Sequence, residues 1–140
     1  MKKTITVLLS LFLFAPIFSQ KKPNFQLVSP NGKIVVTIAI FNKITWTITH
    51  EKGTILSASP MSMTLNEGEI VGKNPILVHA KKESIRSSFE TPFYKKKTVE
   101  DNYNQLLLNF KGDFSIEYRA FDEGVAYRFI TKKKKDITLK

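Results

Sequence analysis

From Lys33 to Phe41 the side chains sort into two sets: Ile34, Val36, Ile38 and Ile40 on one face, Val35, Thr37, Ala39 and Phe41 on the other. That two-residue period predicts a β-strand. The second face is also rather apolar, which predicts cover on both sides. Upstream, Phe25 to Ser29 is a short apolar run closed by Pro30-Asn31-Gly32, where Asn and Gly accept positive φ cheaply. Downstream, Asn42-Lys43 predicts the next turn, and Ile44, Trp46 and Ile48 alternate with Thr45, Thr47 and Thr49. This is the clearest one-sided β-pattern in the chain, and it places Trp46 in the core rather than on a sugar-stacking surface. Glu51-Lys52-Gly53 turns into Thr54 to Leu56, Pro60 interrupts, and Met61, Met63 and Leu65 alternate before a loop from Asn66 to Pro75.

The middle is weaker: Ile76 to Val78 predicts a short strand and Ser84 to Phe89 another. Tyr103 to Phe110 and Phe114 to Phe121 flank the turn Lys111-Gly112-Asp113; Val125 to Thr131 follows the turn Asp122-Glu123-Gly124, and Asp136 to Leu139 begins a further extended run. No helical period appears after residue 20, and there is no internal repeat. Several short strands with turns about every 8–12 residues predict an all-β antiparallel sandwich.

The N-terminus has a different character. Lys2 and Lys3 precede an almost wholly apolar stretch from Val7 to Phe18, broken only by Ser10 and Pro16, and Gln20-Lys21-Lys22-Pro23 follows. The stretch is shorter than the roughly 20 residues a bilayer span requires, and the charged start, apolar core and Ile17-Phe18-Ser19 predict a secretory signal peptide over residues 1–19. The domain is then 20–140, exported to the periplasm or beyond, with no membrane span after cleavage.

With 140 residues and no cysteine, the chain excludes a complete catalytic barrel of about 250 residues, a disulfide framework and a thiolate zinc site. It also excludes an acylated lipoprotein. Lys+Arg 22 against Asp+Glu 12 gives a net charge of +10. The basic runs Lys21-Lys22, Lys81-Lys82, Lys95-Lys96-Lys97 and Lys132 to Lys135 are placed at strand ends or turns and lack interleaved aromatics. They read as solvated turns and blunted strand edges, with no nucleic-acid partner. His50 and His79 show no metal-ligand spacing. The adjacent acids Glu100-Asp101 and Asp122-Glu123 are both placed in turns, with neither pair set across a pocket as glycoside hydrolysis requires. No nucleophile elbow or phosphate loop is present. The residues therefore assign no catalytic, cofactor-binding or metal site.

Three segments carry a resemblance. Phe114-Ser115-Ile116-Glu117-Tyr118-Arg119-Ala120-Phe121-Asp122-Glu123-Gly124-Val125-Ala126-Tyr127-Arg128-Phe129 resembles the end of the first half of the N-terminal domain of glycoside hydrolase family 97. Leu27-Val28-Ser29-Pro30-Asn31-Gly32-Lys33 is similar to that domain's first hairpin, and Ile55 to Met63 to its stretch ending in Ser-Pro-Leu-Gly-Leu. All three occur in the family's order. The resemblance implies an N-terminal β-sandwich more than twice this long, followed by a (β/α)8 barrel and a C-terminal β-domain. It also implies an activity on α-glucosides or α-galactosides with calcium assisting. The catalytic carboxylates and the calcium ligands it implies lie beyond Lys140, so this chain is expected to be an incomplete sandwich, inactive alone and holding no cofactor. An oligosaccharide is the partner implied for the whole enzyme. The other reading left by the residues is a free-standing periplasmic β-sandwich that binds a glycan or a protein without catalysis.

Overall fold

The first hairpin forms because its turn satisfies itself. In the computed structural model, which describes residues 23–92, 97–134 and 136–140, the Gly32 N–H donates to the Ser29 carbonyl at 2.9 Å. Gly32 takes a φ of 78°, open to glycine without a Cβ penalty. The Asn31 side-chain oxygen accepts from the Lys33 N–H at 2.9 Å and from the Ser29 hydroxyl at 2.7 Å. This turn joins β1 (Asn24–Val28) to β2 (Ile34–Ile40), and β3 (Ile44–His50) and β4 (Gly53–Met61) follow by further hairpins. They form one four-stranded antiparallel sheet in the order β1-β2-β3-β4.

Two short strands, β5 (Met63–Thr64) and β6 (Ile70–Val71), pair with each other. The second four-stranded sheet is built from β7 (Leu77–Glu90), β8 (Thr98–Phe110), β9 (Phe114–Ala120) and β10 (Val125–Thr131), in the order β10-β9-β8-β7. The two large sheets stack through alternate side chains. Val36 and Ile38 of the first sheet and Leu106, Leu108, Ile116 and Tyr118 of the second are all at 0% exposure within one core cluster. Each such side chain contributes on the order of 1.5–3 kcal/mol by leaving water. The protein is an all-β antiparallel sandwich.

The structure redraws several sequence expectations. Ile76–Val78 and Ser84–Phe89 are not separate strands: β7 runs unbroken from Leu77 to Glu90. Most of β7 is exposed, so no burial imposed an alternation on its sequence. Lys81 and Lys82 accordingly lie inside a strand rather than at its end. β8 starts at Thr98, which moves Glu100 and Asp101 out of a turn and onto the ladder opposite Ser88 and Ser87. Pro60 does not interrupt β4. The strand runs through it, in register opposite Thr45, because β4 is a sheet edge, where a missing N–H costs no ladder bond; the register shifts lie before it, between Thr54 and Ser59. Ile70–Val71, within the stretch read as a loop, is a short strand. Asp136–Leu139 forms only an isolated bridge, Leu139 to Leu65. The second face of β2 is half-buried, not covered, and Phe41 is exposed.

The residues of the expected signal peptide lie outside those described, as do Lys21, Lys22, Lys95, Lys96 and Lys135. Among the described residues, no helix is long and apolar enough to cross a membrane.

Candidate functional site

Three places on the sandwich bring chemistry-bearing side chains together. The first is a cleft of about 510 Å³ lined by Thr98, Val99, Glu100, Asn102, Phe121, Asp122 and Glu123. It lies where the start of β8 meets the β9–β10 turn. Here the structure corrects the sequence reading: one member of the Glu100-Asp101 pair and both of the Asp122-Glu123 pair share a single pocket. Adjacent strand residues face opposite ways, so Asp101 is turned from it. All three lining carboxylates are exposed, and Asp122 Oδ1 already accepts the Asn31 N–H at 2.8 Å. Protonating a glycosidic oxygen needs a desolvated carboxylic acid beside an ionised partner. The cleft offers hydrogen-bond acceptors, and although Val99 and Phe121 line part of it, none of its carboxylates is buried against them.

The second place is on the outer face of the second sheet. Glu117 is buried, with its side chain 7% exposed. Its Oε1 accepts from Arg119 Nε at 2.8 Å and its Oε2 from Arg128 Nη2 at 3.0 Å. The hairpin register sets Arg128 directly opposite Glu117, and Arg119 lies two residues along the same strand face. Arg119 also stands over the Tyr103 ring, 4.7 Å from its centroid, and Tyr103 tilts against Phe121. A buried carboxylate between two guanidiniums is a fixed anchor. Sequence reasoning did not single out this group. The available signal was the Glu-x-Arg spacing with an arginine brought opposite by the Asp122-Glu123-Gly124 turn.

The third is an aromatic cluster between the sheets. Trp46 meets Tyr127 edge-on at 5.0 Å and Tyr118 at 6.2 Å, and Tyr127 contacts Phe129 at 6.3 Å. Trp46 packs against the core but is only partly buried. Tyr118 is fully buried, and its hydroxyl donates to Met61 Sδ at 3.1 Å. Burial pushes the Tyr118 phenol well above its usual range, with a smaller push from Tyr127.

The remaining candidates stay dispersed. His50 ends β3 in one sheet and His79 lies near the start of β7 in the other, both exposed. Lys81 pairs with Glu83 at 2.7 Å, Lys33 with Glu51 at 3.4 Å, and Lys133 with Glu69. Among the described residues, no group of three or more His, Asp or Glu converges as a metal site.

A signal-bearing turn clamped to a second hairpin on a four-over-four sandwich defines a β-domain whose distinctive residues hold the fold together. The chain belongs to the glycosyl-hydrolase 97 N-terminal family, which it matches over residues 27–140. It is 38% identical over 135 residues to a retaining alpha-galactosidase of Bacteroides thetaiotaomicron, a match that takes in 96% of this chain and 20% of that protein. The fold is shared with a glycoside hydrolase family 97 enzyme from Pseudoalteromonas sp. strain K8, solved in complex with acarbose. There the TM-score is 0.73 at 20% identity, over 82% of this chain and 19% of that one. A beta-arabinopyranosidase matches with a TM-score of 0.72 at 22% identity, over 83% of this chain and 20% of that one. The chain thus spans about a fifth of the length of these relatives.

Proposed function

We propose that this chain is the opening part of the N-terminal sandwich of an exported family 97-type α-glycosidase. Its work is to support a catalytic (β/α)8 barrel and help wall the sugar pocket, with an α-glucoside or α-galactoside as the substrate of the whole enzyme. The observation that carries the reading is the match of residues 27–140 to the N-terminal family, in a chain that covers only 20% of its α-galactosidase relative. The charged start and short apolar core of residues 1–19 support export to the periplasm or medium.

The test is to read the coding sequence past Lys140 and to assay the product for release of nitrophenol from α-glucoside and α-galactoside substrates, with and without calcium. Barrel-like βα units and turnover are expected of the longer product, and none of the 140-residue chain. A stop after Lys140 in an abundantly expressed gene would sink the proposal. It would favour a free-standing binding module, a reading supported by the single continuous core and the absence of unsatisfied buried side-chain polar atoms among the described residues.

A further inference from the structure

On the outer face of the second sheet a small side chain stands among long ones. The β9–β10 register sets Ala126 opposite Arg119, and Arg128, two residues further along the same face, opposite Glu117. A methyl group cannot fill the space between two guanidinium arms. A cavity of about 120 Å³ remains there, lined by Glu117, Arg119, Ala126, Tyr127 and Arg128.

The guanidiniums are held from beneath by the buried Glu117, which accepts Arg119 Nε on one oxygen and Arg128 Nη2 on the other. The Tyr103 ring, its centroid 4.7 Å from Arg119 Cζ, steadies the first of them. Among the described residues neither guanidinium has a further acceptor, so Arg119 keeps both Nη groups and Arg128 its Nε and Nη1. The β8 residues opposite Arg119 and Glu117 are Gln105 and Leu107, which carry no charge. Two positive charges therefore meet one negative charge, and both of its oxygens are already taken. The rim is left cationic, with unused N–H donors on oriented arms.

We propose that this cavity binds the carboxylate of a sugar acid, a uronate unit carried on a glycan. A guanidinium edge matches a planar carboxylate with two parallel N–H···O bonds, and a second carboxylate brings the group to neutrality. A cavity of about 120 Å³, against roughly 30 Å³ for one water, admits a carboxylate group and leaves the sugar ring outside, over Ala126. A carboxylate borne directly on a rigid ring loses little freedom on docking. An aspartate or glutamate side chain of a protein partner must first be ordered, which favours the sugar acid. The inference goes beyond the proposed function and rests on it only for export, which brings the chain to polysaccharide.

The probe is galacturonate, with galactose as its neutral counterpart, added to the full product of the coding sequence. Binding is read on the ligand by saturation-transfer NMR. Galacturonate should bind with a millimolar constant that weakens as salt is raised. Arg128→Gln should weaken it about tenfold, the worth of a charge-assisted hydrogen bond. Ala126→Leu fills the cavity and leaves Glu117, Arg119 and Arg128 in place. It should abolish this binding with the urea midpoint unchanged, and it should leave any galactose signal as it was. If Arg128→Gln does not fold, Ala126→Leu decides alone. No galacturonate signal in the wild type overturns the proposal, as does a constant that Ala126→Leu does not change. A galactose signal that falls with the galacturonate signal in Ala126→Leu also overturns it, by giving the binding to the ring. Displacement of galacturonate by capped aspartate at lower concentration overturns it in favour of a protein partner, and displacement by sulfate at lower concentration in favour of a general anion site. A coding sequence that stops at Lys140 would defeat the longer-enzyme reading on its own, while the titration reports on the cavity in either product.

Discussion

Asp122 Oδ1 accepts the backbone N–H of Asn31 at 2.8 Å across 91 positions of sequence. The bond joins the β1–β2 turn to the β9–β10 turn, which lie in two of the three segments that carry the family resemblance. Their signature residues are thus one clamp between sheets rather than two independent turns. Asp122→Ala should cost about 1 kcal/mol, the worth of an exposed hydrogen bond with a charged acceptor. Asp122→Asn, which keeps a side-chain oxygen, should cost less. Denaturant midpoints of the two variants check the difference.

Gly72 has a φ of 94°, and a Cβ there would stand 2.9 Å from the Met61 carbonyl oxygen. Both the strained backbone and the contact with β4 oppose a side chain. Gly72→Ala should destabilise by on the order of 1–3 kcal/mol, whereas the same change at Gly124, which has open space around it, should be nearly silent. Thermal melts of the two variants decide this.

Glu117→Ala should cost about 1–3 kcal/mol. Removing one partner of a buried pair is expensive, but here the stranded guanidiniums of Arg119 and Arg128 are 32% and 61% exposed and can turn to water. Glu117→Gln should recover part of the loss by keeping a side-chain acceptor oxygen. Urea titration of both variants and of Arg128→Gln gives the ordering.

Trp46 is part of the core and near its rim. Its fluorescence should shift on Tyr127→Ala, because the two rings meet at 5.0 Å. It should not respond to a maltooligosaccharide. Trp46→Ala should cost about 3 kcal/mol, the low end for a tryptophan truncation. Strong quenching by sugar at unchanged stability would reassign the ring as a binding platform.

Tyr118 makes stability depend on alkaline pH. Its phenol is raised above the ordinary value of 10.0 in the folded chain, so the unfolded state loses its proton first. The contribution is intact below about pH 10 and is lost as the pH climbs beyond it. Tyr118→Phe should flatten that decline, and in the native protein one tyrosine should resist ionisation, read by phenolate absorbance, until unfolding.

Most strands were legible because one face is buried: β2, β3 and β9 alternate around Val36, Ile44 and Ile116, each at 0% exposure. β7 was not, since an outer strand with little burial has no reason to alternate, and its lysines looked like turn residues. The shared pocket of Glu100, Asp122 and Glu123 was also invisible. It depends on β8 reaching back to Thr98, which brings Glu100 beside a turn more than twenty positions later. Glu117 shows the same limit from another side: nothing local in the sequence marks it, and its burial comes from arginines across and along the ladder.

The tight turn from Phe121 to Gly124, closed by the Phe121 N–H on the Gly124 carbonyl at 2.8 Å, sets which residues of β10 look inward. A single inserted residue would exchange Tyr127 and Arg128 between faces. The guanidinium would move to the inward face, into the place of Phe129, and Glu117 would keep one partner instead of two. Loop length is usually the freest variable in a β-protein. Here it is restricted to steps of two, because one turn keeps the parity of an ion pair on one face and an aromatic stack on the other.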